Sequence, residues 1–244
     1  MISGHLHPLT YVERKIVSIF GNLGFEVVEG PEIASEWSNF DALNMPKEHP
    51  ARDMQDTFTL KGDDSKEGKR VLRTQTSAVQ VPYMKDHQPP FRIIVPGKVF
   101  RRDASDVSHS SNFYQVEGLM VDDKVSLAEL KGVLKQFIEE FFGPNTKVRW
   151  RPGYFPFVEP GMEVDVSCVI CQGKGCPTCK RTGWVELLGA GMVHPNVFKA
   201  AKYDPEKVQG FAFGIGLDRL AMMKYGINDI RLLYSGDLRF LKQF

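Results

Sequence analysis

The sequence predicts an α+β fold, an antiparallel β-sheet flanked by helices. Two observations carry this. Segments of strand character follow one another in series, with helical segments before and between them. The regular βαβ alternation of a doubly wound fold is absent. The 244 residues, 42% hydrophobic and 25% charged, suffice for one large globular domain with its own core. This composition excludes collagen, coiled coil and wholesale disorder. No apolar run approaches the ~18–20 residues of a membrane span. The opening MISGHLHPLTYVERK lacks the apolar stretch of a signal peptide. A net charge of +1 sets aside a protein that grips nucleic acid by bulk charge, so any such partner is met locally or by another chain.

The elements follow in order. Thr10 and Glu13 have the spacing of a capping box. Behind them Val12, Ile16, Ile19, Phe20 and Leu23 recur at helical spacing, and Gly24 ends the helix. Phe25 to Glu29 reads as a strand stopped by Gly30-Pro31, and residues 61–70 (KGDDSKEGKR) as a polar loop. Residues 76–87 predict a short helix, and Arg92 to Arg101 a strand with a Pro-Gly interruption. From Phe113 to Met120 the alternation puts Phe113, Gln115 and Glu117 on one face. Ser126 and Glu129 make a second capping box, before a helix carrying Leu127, Leu130, Leu134, Phe137, Ile138 and Phe141. Residues 147–151, 162–169 and 183–188 read as strands, the last two flanking a cysteine-bearing hairpin tip. Gly214-Ile-Gly216 leads into a helix over Leu217 to Tyr225. No internal repeat is evident.

Four pieces carry chemistry. Arg101 at a strand end, beside a polar loop with His109, suits phosphate, because a guanidinium fork matches phosphate oxygens. Phe113 offers a stacking face, and Gln115 with Glu117 a polar pair for a ligand ammonium. Gly214-Ile-Gly216 lets a backbone or ligand approach closely, with Arg219 in the first helical turn beyond. Phe155 and Phe157, two apart on an extended segment, can wall an aromatic ligand, and Glu159 can face a metal. Cys168, Cys171, Cys176 and Cys179 form C-x2-C-x4-C-x2-C, which can close a tetrahedral, structural zinc site. Their clustering is unlike a secreted disulfide framework and points to a reducing, cytoplasmic setting. Taken singly, the same pieces also read as an ordinary hairpin, a tight strand-to-helix turn, a core-packing strand and four reduced thiols on a Gly-rich turn. Of the six histidines, His109 and His194 stand out, and the other four read as solvated. No Ser-His-Asp arrangement, Walker A or complete G-x-G-x-x-G is present.

Taken in order, the pieces resemble the three signature motifs of class II aminoacyl-tRNA synthetases. The helix and strand ending at Gly30-Pro31 look like motif 1. Phe100 to Asp103 with Phe113 to Gly118 look like motif 2, and Gly214 to Arg219 like motif 3. HPARDMQDTF (49–58), LRTQTS (72–77), YFPFVEPG (154–161), GAGMVHPNV (189–197) and GFAFGIGLDRLAM (210–222) are similar to the bacterial phenylalanine–tRNA ligase α-subunit family. The resemblance covers essentially the whole chain. It implies a single catalytic domain over 1–244, with a Cys-rich hairpin insertion at 168–179. It implies activation of phenylalanine by ATP to phenylalanyl-adenylate and pyrophosphate, then transfer to the 3′-terminal ribose of tRNA(Phe).

Carried over residue by residue, Arg101 clamps the α-phosphate, His109 reaches the outer phosphates, and Phe113 and Arg219 sandwich adenine. Gln115 and Glu117 hold the amino group, helped by Ser77, with Gln75 beside them. Phe155 and Phe157 line the ring pocket and Ala212 sets its depth. Glu159 takes a Mg²⁺ shared with a β subunit, in an (αβ)₂ heterotetramer, and editing of tyrosine belongs to β. The cysteine hairpin occurs in some members only, which suits a stabilising role. The sequence departs from the family pattern at Gln75, often histidine, and at Asp103 and Asp218, often glutamate. It also begins just before motif 1, where members carry an N-terminal helical hairpin, as expected of a shortened or a naturally short α subunit. The alternative is a non-catalytic paralog that uses the Cys hairpin for RNA or protein contact. Intact Arg101, Glu117, Glu159 and Arg219 argue against such decay.

Overall fold

Seven strands form the main sheet in the computed structural model, which describes residues 4–49, 52, 57–65 and 67–244. In chain order the elements are α1 (Pro8–Asn22), β1 (Glu26–Val27), β2 (Ile33–Ser35), α2 (Glu36–Asn39), β3 (Thr59–Ser65) and β4 (Gly68–Leu72). Then come α3 (Gln80–Asp86), β5 (Phe91–Phe100), β6 (Asn112–Asp122), α4 (Leu127–Phe142), β7 (Val148–Pro152) and β8 (Val158–Ser167). The chain closes with β9 (Trp184–Val193), α5 (Pro195–Ala200), β10 (Gln209–Gly216), α6 (Leu217–Tyr225) and α7 (Leu238–Leu241). The sheet runs β1-β5-β6-β10-β9-β8-β7. Every pairing in it is antiparallel except that of β1 with β5. A second sheet, β2-β4-β3, lies outside it in the hydrogen-bond order.

The two faces of the main sheet have different jobs, and the period of two assigns each side chain to one of them. Val116 and Met120 of β6, with Phe211, Phe213 and Ile215 of β10, join the apolar stripes of α1, α4 and α6 in one core. Phe20 of α1 is its centre, stacked on Phe137 at 5.0 Å and on Phe213 at 5.1 Å. Gly118 leaves room for this packing, because a Cβ there would lie 2.0 Å from the Phe213 ring. The opposite face carries Leu119, Val121, Val95 and Ala212, packed with Met45, Met84 and Phe198. Gln115 and Glu117 share that second face, so the polar pair opens away from α1, α4 and α6.

Several expectations hold. Ser126 caps α4 with both halves of the capping box present. Gly24, at φ +82°, follows the end of α1. The helix over 76–87 forms as a 3₁₀ turn (Thr76–Val79) followed by α3.

Others are corrected. The Thr10 capping box does not form: α1 starts earlier, with Pro8 in the first turn and His7 as its cap, the imidazole Nδ1 accepting from Leu9 N at 3.2 Å. His7 is therefore half-buried rather than solvated, and its Nε2 donates to Leu233 O at 2.9 Å. The strand at 25–29 shrinks to Glu26–Val27. Residues 61–70 are not a loop but most of the β3–β4 hairpin. Val71 is the buried side chain of β4, so no alternation marks the segment. The Pro-Gly pair at 96–97 does not interrupt β5, which pairs with β6 continuously from Phe91 to Phe100. β1 reaches only Ile93 and Ile94, so Pro96 lies beyond the last residue paired on that side. Gly97 is required, because the Arg73 guanidinium occupies the space 1.9 Å from where a Cβ would stand. β8 and β9 are longer than expected, ten residues each. Of HPARDMQDTF, residues 50, 51 and 53–56 lie outside the described residues.

Candidate active site

On the second face of the sheet lies a cleft of about 620 Å³. It gathers ten of the predicted site residues: Gln75, Ser77, Arg101, Phe113, Gln115, Glu117, Phe155, Phe157, Ala212 and Arg219. They come from β6, β10, α6, the residue after β5, the 3₁₀ turn before α3 with the residue that precedes it, and the segment before β8.

One end is a buried carboxylate. Glu117 is 2% exposed. Ser77 Oγ donates to its Oε2 at 2.7 Å and Gln80 Nε2 to its Oε1. Burial pushes Glu117 up to about 7, and these two donors pull against that rise. The adjoining backbone N–H of Thr76 donates to Gln115 Oε1 at 3.3 Å. Gly214 lies across from Glu117 on β10, and a Cβ there would stand 3.2 Å from Glu117 Oε2. The segment 72–77 is held by Asn39, whose Oδ1 accepts from Thr74 N and whose backbone carbonyl accepts from Gln75 Nε2. Phe155 and Phe157 wall this end, ring centroids 6.0 Å apart. They stand on a tight turn rather than an extended run, with Val158 N donating back to Phe155 O. Phe155 lies over Gly189, where a Cβ would be 2.7 Å from its ring.

The other end is cationic. Arg101 Nε donates to Thr74 O at 3.1 Å, and its guanidinium lies 5.1 Å from the centroid of the Phe113 ring. Burial lowers the Arg101 pKa, with Asp103 opposing. Arg219 is exposed, its guanidinium donating to Glu186 O at 3.1 Å. Glu186 lines the same cleft.

The family model for the class II tRNA synthetase core domain (F) matches residues 1–244. The α subunit of phenylalanine–tRNA ligase of Trichlorobacter lovleyi is 57% identical over 99% of this chain, which spans 69% of that relative's length. That of Caldanaerobacter subterraneus is 54% identical over the same shares. The chain belongs to the phenylalanine–tRNA ligase α-subunit family. The crystal structure of a pyrrolysyl-tRNA synthetase from Desulfitobacterium hafniense shares its fold, with TM-score 0.68 and 18% identity over 92% of this chain and 72% of that one.

Two residues expected of a phenylalanine–tRNA ligase α subunit lie outside the cleft. His109 is exposed on the β5–β6 loop, its Nδ1 within 3.0 Å of both Asp106 carboxylate oxygens. Those contacts and Ser108 hold Asp106 well below the usual carboxylate range. Glu159 has a side chain 75% exposed, and its Oε2 lies 3.4 Å from His194 Nε2. His194 caps α5 by accepting at Nδ1 from Asn196 N, so its neutral tautomer carries the proton on Nε2, facing Glu159. A hard divalent cation takes oxygen ligands. The exposed Glu159 carboxylate fits such an ion as one oxygen donor. The four cysteines lie apart from the cleft, between β8 and β9.

Sequence reasoning missed four residues. Gln80 lies three past Ser77, a helical spacing that could have flagged it. Arg73 is 2% exposed and binds the Lys98 and Gly30 carbonyls at 2.8 and 2.9 Å, tying motif 1 to β5. Asp218 stands out in the sequence only as a departure from the family pattern. It is 2% exposed and accepts from Tyr114 N at 2.7 Å and from the Tyr234 hydroxyl, while burial raises its pKa. It thereby joins β6, between Phe113 and Gln115, to the turn of α6 that bears Arg219. Tyr234 carries no sequence signal, because only the fold brings it to residue 218.

Proposed function

We propose that the chain is the catalytic α subunit of a phenylalanine–tRNA ligase, and that the cleft holds phenylalanine at Glu117 and ATP at Arg101 and Arg219. The observation that carries the reading is the polarity of the cleft: a buried carboxylate with two aromatic rings at one end and two guanidinium groups at the other. An amino acid has an ammonium and a side chain, and ATP has phosphates and a purine. Gln115, Glu117, Ser77 and Gln75 would hold the ammonium, Phe155 and Phe157 the ring, and Ala212 would limit its depth. Arg101 would take the α-phosphate, His109 the outer phosphates, and Phe113 with Arg219 the adenine.

Phenylalanine's carboxylate then attacks the α-phosphorus. A P–O bond forms to the amino acid, the bond to pyrophosphate breaks, and the leaving group carries the electron pair. The carboxylate is ionised at neutral pH, so the step needs no general base. It needs alignment and charge stabilisation, which the two arginines supply. The ribose hydroxyl at the tRNA 3′ end then attacks the carbonyl carbon of the adenylate: an ester C–O bond forms, the acyl C–O bond to AMP breaks, and the hydroxyl proton passes to the departing AMP phosphate. A Mg²⁺ bound with ATP supplies further charge neutralisation, and Glu159 would contribute to one shared with the β subunit.

The proposal places this in one catalytic domain over 1–244, in the cytoplasm, within an (αβ)₂ heterotetramer, with structural Zn²⁺ on the Cys hairpin. Among the described residues no helix is long and apolar enough to cross a membrane. Amino-acid-dependent ATP–pyrophosphate exchange by the chain co-expressed with a β subunit tests the reading. Exchange with phenylalanine alone among the amino acids is expected. Protein that binds ATP yet shows no exchange with phenylalanine would overturn it.

A further inference from the structure

The cysteine hairpin contains a short internal repeat, which corrects the expectation that the chain has none. Residues 168–175 (CVICQGKG) and 176–183 (CPTCKRTG) both read C-x2-C-x3-G. The backbone repeats with the same period of eight. Gly173 N donates to Cys168 O, and Arg181 N to Cys176 O. Lys174 N donates to Cys171 O, and Thr182 N to Cys179 O, both at 3.0 Å. Gly175 N points at Cys171 Sγ at 3.2 Å, and Gly183 N at Cys179 Sγ at 3.3 Å. Gln172 and Gly173 are left-handed after the first pair, and Lys180 and Arg181 after the second. Non-glycine residues avoid that region unless their surroundings impose it.

The two halves face each other across a local pseudo-twofold. A Cβ on Gly175 would lie 2.8 Å from Arg181 O, and one on Gly183 would lie 2.4 Å from Gly173 O. Each half thus packs its glycine on the other's backbone. The equivalent sulfurs meet in pairs, Cys168 with Cys176 and Cys171 with Cys179, at 3.8 Å, and Cys176 with Cys179 at 3.8 Å. All four sulfurs lie within 4.8 Å of one another. Zn–S bonds of about 2.3 Å put the corners of a tetrahedron about 3.8 Å apart, whereas a disulfide would bring two sulfurs to about 2.05 Å.

We propose that residues 168–183 are a tandem pair of zinc knuckles closing on one Zn²⁺, and that the closed pair clamps the start of β9, on which Arg219 rests. Cys168 N donates to Gly183 O at 2.8 Å, so the metal site seals the end of the β8–β9 hairpin. Three residues further, the Glu186 carbonyl accepts from Arg219. The phenylalanine end meets β9 further along, where Phe155 lies over Gly189 and Val158 pairs with Val193, so Glu186 is the cleft residue of β9 nearest the cysteines. The clamp therefore acts on the ATP end. The metal assignment stands on the cysteine geometry, and the ATP arm rests on the proposed function.

The test uses the αβ assembly purified without added metal. Zinc near one per α chain is expected, with the four thiols unreactive until the protein is denatured. Less than about 0.2 zinc per chain, or a mass short of four hydrogens from two disulfides, would overturn the site. Cys171→Ser, or zinc removal by a chelator under reducing conditions, should open tryptic cleavage at Lys174, Lys180 or Arg181. It should also raise the KM for ATP about threefold or more, with the KM for phenylalanine within about twofold. Zinc-free protein with unchanged cleavage and ATP KM would overturn the clamp while leaving the metal. Failure of the functional reading would instead abolish exchange in zinc-loaded protein.

Discussion

In the proposed site, the ionisation of Glu117 would set the behaviour of the phenylalanine end. Burial pushes its carboxyl up to about 7 because it disfavours the charge. A ligand ammonium restores the anion, so phenylalanine binding should weaken as pH falls below about 7. The pH profile of kcat/KM for phenylalanine should show that ionisation, and Glu117→Gln should lose it along with about 100-fold or more of kcat/KM. The stability corollary follows from the raised pKa. The folded state holds this proton more tightly than the unfolded one. The resulting stabilisation is complete below the ordinary carboxylate range and is lost as pH rises through about 7. The melting temperature of Glu117→Gln should therefore rise relative to wild type between pH 4.5 and 7.5. At the other end, Arg219→Ala should lower kcat by about 100-fold or more, measured by pyrophosphate exchange, while phenylalanine binding persists in calorimetry.

The elements place these residues by alternation and by a few buried polar ties. Asp218 joins β6 to α6, so Asp218→Ala leaves the Tyr114 N–H and the Tyr234 hydroxyl without their acceptor. A cost of about 1–3 kcal/mol in denaturant unfolding is expected, together with a raised KM for ATP. Tyr234→Phe should show the same direction with a smaller loss. Gly118→Ala should destabilise by about 1–3 kcal/mol, because the Phe213 ring cannot leave the core between α1 and the sheet.

Much of this level was legible in the sequence. The alternation from Phe113 and the Ser126 cap marked β6 and α4, and the order of motifs gathered ten residues into one cleft. Local spacing failed where a distant chain segment decides. His7 rather than Thr10 starts α1 because Pro8 follows it and Leu233 receives its imidazole. Strand β4 buries only Val71, too little to show a period. Tyr234 and Arg73 act only through contacts across the fold.

At the scale of the molecule, one face of the sheet stores stability and the other carries chemistry. Helices α1, α4 and α6 cover the first face around Phe20, and the second leaves a cleft with a carboxylate end and a guanidinium end. The central claim is that these ends bind two different substrates. Calorimetric titration of phenylalanine and of ATP, separately, into the αβ assembly carrying Glu117→Gln tests it most directly. Loss of phenylalanine binding with ATP affinity unchanged is the predicted result. Phenylalanine binding at wild-type affinity would contradict it.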